Sequence, residues 1–425
     1  MSPQYCVVIE SLYCVGKLQP SYLDWSAMKE PLSIEVERIV PDKPSLRVAV
    51  VTETYPPDIN GVAHTVSIIV TGLRERGHEI TLIRPRHQEE PAHTAQPGEL
   101  LVRGAPIPMY KQLRMGLPAL GSLRKLWTAR RPDLVHIATQ GPLGWSAARA
   151  AHKLGIPVSS DFRTNFHAYS QLYGLGWLKS TIVSYLRKFH NAARCTMVPT
   201  QRLKDELVSG GFERLIVVPR GVDTEKFSPS HRSLRLRESW GATATTIILL
   251  SVGRLAVEKN LGVVVNAYDR LKQSGADVKL VFVGDGPETT TLQRLCPDGI
   301  FAGTKRGQDL AEHYASADLF VFPSLTETFG NVTLEAMASG LCVVAYDHAA
   351  AGQLIVSQRN GLLLPPNDES GFIAATQAVA QDAAGREEMR RQARQTALNN
   401  SWSIILSRTE EIFRSLVAIN SSKTY

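Results

Sequence analysis

Glu327 and Glu335 stand eight residues apart in the segment Pro323-Ser324-Leu325-Thr326-Glu327-Thr328-Phe329-Gly330-Asn331-Val332-Thr333-Leu334-Glu335. The apolar run Leu319 to Phe322 leads into it as a strand. Gly330 and Asn331 then mark a helix start, where free backbone amides suit hydroxyl or phosphate oxygens. Glu335 falls about one turn inside that helix. One carboxylate before a helix N-terminus and one within it can divide their work between the hydroxyls of a sugar and those of a ribose. A negative first turn complementing the helix dipole would explain the acids, but not the Phe329-Gly330-Asn331 between them.

Three further loops carry chemistry. Gly253-Arg254-Leu255-Ala256-Val257-Glu258-Lys259-Asn260 follows the apolar run Ile247 to Val252. The planar fork of Arg254 and the point charge of Lys259 suit a diphosphate, although Lys259 could equally neutralise its neighbour Glu258. Glu53 to Gly61 follows Leu46 to Thr52, and Gly61 lets amides at a helix start approach an anion, or simply shapes a tight turn. Gly284-Asp285-Gly286-Pro287-Glu288-Thr289 has two glycines of a dinucleotide fingerprint but Thr289 in place of the third. That substitution weakens a hydride-transfer reading.

These loops need strands to hold them. Leu46 to Thr52, Glu79 to Arg84, Leu134 to Ile137, Pro157 to Phe162, Cys195 to Pro199 and Leu215 to Val218 read as buried strands separated by helical segments. The series restarts with Ile247 to Val252, Val278 to Val283, Gly299 to Ala302, Leu319 to Phe322 and Cys342 to Ala345. Such alternation predicts parallel sheets, with ligands at the carboxyl ends of the strands. Trp402 to Ile419 reads as a final helix that packs back across the first half. Residues 1–45, rich in proline and without clear periodicity, are expected to lie outside the fold.

The 425 residues are 44% hydrophobic and 20% charged, ordinary for a soluble chain of several domains. Five scattered cysteines form no metal or disulfide spacing, which predicts a reducing, cytoplasmic setting and no metal site. No apolar run reaches the roughly 18 residues of a membrane span. The formal charge of +7 concentrates in two acid-free stretches, Leu101 to Pro132 and Phe162 to Lys204, the second mixed with Trp177, Ile182, Val183, Tyr185 and Phe189. They read either as solvated helix faces or as surfaces for an anionic membrane or an acidic acceptor. A nucleic-acid partner is not expected.

Taken together, Thr54-Tyr55-Pro56-Pro57 with Gly61, Val218-Pro219-Arg220-Gly221-Val222-Asp223, Gly253-Arg254 with Lys259-Asn260, Val283 to Glu288, and the two glutamates resemble glycosyltransferase family 4. The resemblance runs from about Leu46 to the last helix and implies an α/β GT-B fold of two facing Rossmann-like domains. It places an acceptor-side domain at 46–225, a nucleotide-sugar domain at 226–400 and a C-terminal helix and tail at 401–425. It also implies a retained alpha linkage, no obligatory cofactor, and Arg254 and Lys259 on the leaving diphosphate. Glu327 would meet the donor sugar and Glu335 the ribose. Gly61, Gly284 and the amides of Phe329, Gly330, Asn331, Val332 and Thr333 would surround sugar and phosphates, and Phe301 to Gly307 would border the base. Family members carry a histidine where this chain has Arg163, in Asp161-Phe162-Arg163-Thr164-Asn165-Phe166-His167; either His167 takes its catalytic place or Arg163 binds an anion there. Within the family the chain is most similar to bacterial mannosyltransferases with lipid-linked or glycan acceptors. The expected donor is therefore GDP-mannose, with UDP-glucose second, and the expected location is the cytoplasm with peripheral contact at the inner membrane face. A silent nucleotide-sugar or glycan-binding module and a sugar-nucleotide epimerase are the rival readings.

Overall fold

In the computed structural model, the described residues are 6–7, 36–37, 44–58, 60–87, 97–107, 110–163, 176–327 and 329–421. Met1–Ser45 forms a unit of its own, in which β1 (Cys6–Val7) pairs antiparallel with β2 (Val36–Glu37). Leu46–Tyr425 forms the other unit and contains the two sheets that the strand pattern predicts.

The first sheet comprises β3 (Arg47–Val51), β4 (Glu79–Pro85), β5 (Glu99–Val102), β8 (Leu134–Ile137), β9 (Val158–Asp161), β10 (Cys195–Val198) and β11 (Leu215–Val217). Between β5 and β8 the chain makes an antiparallel hairpin, β6 (Gly104–Ile107) with β7 (Tyr110–Gly116). All seven sheet strands are parallel, in the order β11-β10-β9-β8-β3-β4-β5. Helices α1 (Gly61–Glu75), α2 (Leu120–Ala129), α3 (Pro142–Lys153), α4 (Gly176–Asn191) and α5 (Gln201–Ser209) connect them. The chain builds outward from β3 in one direction and then returns to build from β8 in the other. The loops after β3 and β8 therefore open apart at a switch point, where parallel sheets bind ligands.

The second sheet repeats this plan with β12 (Ile247–Val252), β13 (Val278–Val283), β14 (Ile300–Phe301), β15 (Leu319–Phe322), β16 (Cys342–Tyr346) and β17 (Leu362–Leu364), ordered β14-β13-β12-β15-β16-β17 and parallel throughout. Its helices are α6 (Leu234–Ser239), α7 (Leu261–Gln273), α8 (Thr289–Leu295), α9 (Gly307–Ala315), α10 (Asn331–Ala338), α11 (Ala349–Leu354), α12 (Glu369–Gln381) and α13 (Ala383–Leu398). Both faces of each sheet are covered by apolar clusters, which is why the strands read as continuous apolar runs rather than alternating ones.

Helix α14 (Trp402–Ser421) crosses back, and its Leu406, Phe413 and Leu416 are buried with Val48 and Val50 of β3 and Val66 and Val70 of α1. Where the chain passes between the halves, Val222 N–H donates to Asn400 O at 3.1 Å and Trp402 N–H to Val222 O at 3.1 Å. The outgoing and returning crossings are thus zipped together. Among the described residues no helix is long and apolar enough to cross a membrane.

Candidate active site

The switch point of the second sheet decides which loops meet. Strand β12 lies between β13 and β15, so the loop Gly253–Asn260 comes to rest beside the loop Pro323–Gly330 although about sixty-odd residues separate them. Lys259, on a single 3-10 turn (Val257–Lys259) ended by left-handed Asn260, points its ammonium at Glu327 and not at Glu258. The Lys259 and Glu327 side chains form an ion pair, and Ser324 Oγ donates to Glu327 Oε1 at 3.1 Å. Lys259 Nζ also lies 5.6 Å from the centre of the Phe322 ring. Glu327 N–H donates to His348 Nε2 at 3.3 Å, which anchors the loop from β16. These side chains are only 16% and 18% exposed, so their charges act in a setting where water screens weakly.

Three residues on, Gly330 adopts φ 85° and caps α10 without any side chain bonding its first turn. The amide of Thr333 is used internally, donating to Gly330 O at 3.1 Å. Thr333 therefore drops out of the amides expected at an anion, and Asn331 and Val332 remain at the helix start. Phe329 is a core residue, 1% exposed. Glu335 accepts from Tyr314 OH at 3.0 Å. Burial raises its carboxyl above the ordinary value, while the Tyr314 hydroxyl and Lys226 pull the other way. Asn331 and Glu335, one turn apart, line a cleft of about 540 Å³ whose far wall is His64, Ser67 and Thr71 of α1.

Gly284 serves packing. At φ 136° a side chain there would put its Cβ 1.9 Å from Gly253 O, so the missing side chain of Gly284 lets the β12 and β13 loops pass backbone to backbone. Asp285 holds the segment after β14 by accepting from Thr304 N–H at 2.8 Å. Arg254 is exposed and makes no ion pair or hydrogen bond among the described residues, so its fork is available to a ligand.

Across the cleft, Asn60 caps α1 by accepting from the Val62 and Ala63 amides, which leaves Gly61 at the helix tip. Arg163 is committed elsewhere: both its Nε and Nη2 bond Asp161 Oδ2. Asp161 also faces His136 Nε2 at 3.3 Å, and His136 Nδ1 lies 3.0 Å from Ser159 Oγ. Burial opposes the charge on Asp161, but Arg163 and then His136 outweigh it and hold its carboxyl below the usual range. Arg163 is thus a clamped cation. His167 lies outside the described residues.

Two residues were not singled out from the sequence. Arg220, in the Val218 to Asp223 segment, reaches between the halves: its Nη1 donates to Asn331 Oδ1 at 3.4 Å, and its guanidinium lies 5.7 Å from the Phe329 ring centre. Burial and then Arg163 lower its pKa to about 9, against the opposing pull of Asp161 and Glu327. Glu53, at the end of β3, accepts from the Gly116 amide and from Leu143 N–H at 3.1 Å, with burial pushing its carboxyl up to about 7 against those amides. Both sit just past strand ends, the one signal that could have marked them.

Two parallel sheets, with a cation loop and a carboxylate loop meeting at the switch point of the second, have the arrangement of a GT-B glycosyltransferase. Comparison with known proteins agrees. The family model "Glycosyltransferase Family 4" matches residues 59–226 and "Glycosyl transferases group 1" matches residues 246–382. A GDP-mannose-dependent alpha-mannosyltransferase of Corynebacterium glutamicum is 32% identical, over 88% of this chain and 90% of its own. One from Mycobacterium tuberculosis is 35% identical over 85% and 94%. The sulfoquinovosyl transferase SQD2 of Arabidopsis thaliana is 29% identical over 84% and 71%. Sucrose-phosphate synthase from Thermosynechococcus elongatus superposes with a TM-score of 0.70 at 19% identity, covering 88% of this chain and 99% of that one. The chain belongs to glycosyltransferase family 4, and it is an enzyme that transfers a sugar from a nucleotide-sugar.

Proposed function

We propose that this enzyme transfers mannose from GDP-mannose, with retention and in alpha linkage, to a lipid-linked or glycan acceptor. The observation that carries the chemistry is the Lys259–Glu327 pair at the second switch point, with the open fork of Arg254 on the same loop as Lys259. A departing diphosphate carries the negative charge that develops as the glycosidic bond breaks, and fixed cations in a poorly screened cleft meet that demand. When the diphosphate draws the ammonium of Lys259, the Glu327 carboxylate is released from its ion pair to accept from donor-sugar hydroxyls. The amides at the start of α10 face the same oxygens. Glu335, held by Tyr314 and open to the cleft, takes the ribose hydroxyls. In this reading the charge of the leaving group is met by side chains, so no cofactor is obligatory.

The mannose assignment draws support from the two actinobacterial relatives, whose names give GDP-mannose as donor. A glucose donor, which would be UDP-glucose, draws support from the name of an alpha-monoglucosyldiacylglycerol synthase of Streptococcus pneumoniae, 26% identical over 75% of the chain. That name, like the exposed Arg124 and Lys125 of α2, Arg130 and Arg131 just after it, and Arg187 and Lys188 of α4, favours an acceptor at an anionic membrane surface on the cytoplasmic side. We place the boundary between the acceptor half and the donor half near residue 225, beside the zipped crossings at Val222.

The test is a donor screen with the full chain, in which release of GDP or UDP is followed with and without glycolipid acceptors and the product anomer is read by NMR. GDP release that depends on acceptor, with an alpha product, is expected. Preferential UDP release replaces the donor, a beta product overturns retention, and epimerised donor without acceptor points to the epimerase reading.

A further inference from the structure

We infer that Arg220, with Arg163 beside it, forms an oxyanion-binding site on the first-sheet side of the cleft, separate from the Arg254–Lys259 loop. Arg220 is 8% exposed, yet it makes one long hydrogen bond, to Asn331 Oδ1, and no ion pair among the described residues. The carboxylates within its electrostatic reach are already engaged: Asp161 holds Arg163, and Glu327 holds Lys259. Taking a guanidinium out of water without a counter-charge is unfavourable, and a second guanidinium nearby makes it more so.

The surroundings add positive potential rather than relieving it. Arg220 Nη1 lies 3.5 Å from where a Cβ on Gly61 would stand, at the tip of α1, and its partner Asn331 is the first residue of α10. Two helix N-termini therefore converge on the Arg220 guanidinium, and Arg163, clamped by Asp161, lines the same cavity. A purely structural arginine would be given a carboxylate there; this arrangement is complete only with an anion. The cavity beneath Arg163 and Arg220, about 30 Å³ and closed by Trp402 and Thr409, admits water but not a phosphate. The oxyanion must then arrive from the cleft side, where the planar fork can bind two of its oxygens.

A phosphate or carboxylate could reach this point from the donor diphosphate or from an anionic group on the acceptor. Naming those two sources rests on the nucleotide-sugar reading above; the site itself does not.

The test titrates the full chain with inorganic phosphate, at constant ionic strength held with chloride, and reads the thermal midpoint. Phosphate should stabilise the wild type and Lys259→Ala alike. Arg220→Met should weaken the apparent phosphate affinity by about tenfold or more, the size of one charge-assisted contact, while the unliganded midpoint stays level or rises. Arg220→Lys keeps the charge without the fork and should bind phosphate more weakly than the wild type, which preserves the test if the methionine variant does not fold. Unchanged phosphate affinity in the Arg220 variants overturns the inference, as does no phosphate response in the wild type. Loss of the response in Lys259→Ala merges the two sites and overturns their separation. Calorimetry then assigns the source: weaker GDP binding in Arg220→Met points to the donor, and unchanged GDP binding with a raised acceptor KM points to an anionic acceptor. If neither nucleotide-sugar nor acceptor binds the wild type, the proposed function fails while the phosphate titration still reports on Arg220.

Discussion

In the proposed function each side chain of the Lys259–Glu327 ion pair answers a different part of a nucleotide-sugar. Each is also held by a neutral neighbour, Ser324 for the carboxylate and the Phe322 ring for the ammonium. Removing either leaves the other charge partly buried and unpaired, so some loss of stability should accompany the loss of chemistry. Lys259→Ala and Glu327→Ala should each lower turnover by about 10²–10³-fold, the scale of losing one preorganised electrostatic contact in the transition state. Nucleoside diphosphate release at saturating donor measures this, with cooperative unfolding of each variant as the control. Rates near wild type in both would remove the pair from the mechanism.

At the scale of elements, the β12 and β13 loops work as one piece. Their contact is backbone on backbone, Gly284 against Gly253 and Gly286 against Leu255 O, where an added Cβ would lie 2.1 Å away. This closeness bears on where Arg254 and Lys259 project, since Arg254 follows Gly253 directly and Lys259 closes the same loop. Gly284→Ala would combine a steric clash with a backbone angle that L-residues rarely adopt. We expect it to destabilise the fold by about 2 kcal/mol or more, read from urea unfolding, and to reduce activity by shifting the cation loop. A fully stable, fully active Gly284→Ala would show that the two loops position the site independently. The packing of this glycine thus bears on where the cation loop projects.

For the whole molecule, the last helix ties the C-terminus to the first sheet. Phe413 is 1% exposed, packs 5.1 Å from the His136 ring and shares a core with Val48 and Val50. Arg76 Nη1 and Ser407 Oγ, 3.0 Å apart, add a polar fastening at the surface. Phe413→Ala should lower stability by about 3–5 kcal/mol, as for other buried aromatics, with no side chain of the Lys259–Glu327 loops altered. Equilibrium denaturation tests this, and a loss under about 1 kcal/mol would mean that α14 lies on the sheet without holding it.

Much of this was legible in the residue string. Ile247–Val252, Val278–Val283, Leu319–Phe322 and Leu134–Ile137 are strands over the residues that their apolar runs mark, because strands buried on both faces announce themselves by composition alone. The short edge strands Glu99–Val102 and Leu362–Leu364 and the hairpin Gly104–Gly116 were not marked, since they carry too few apolar residues in too weak a pattern. Local sequence likewise indicated the loops that bear Arg254, Lys259, Glu327 and Glu335, as strand-to-helix turns rich in glycine and charge. Pairing was another matter. That Lys259 meets Glu327 rather than Glu258 depends on β12 lying beside β15, and that Arg163 is spent on Asp161 while Arg220 is left without a carboxylate depends on three strand ends and a crossing converging. Spacing along a chain cannot encode such meetings, because strand order brings together residues that the sequence keeps far apart.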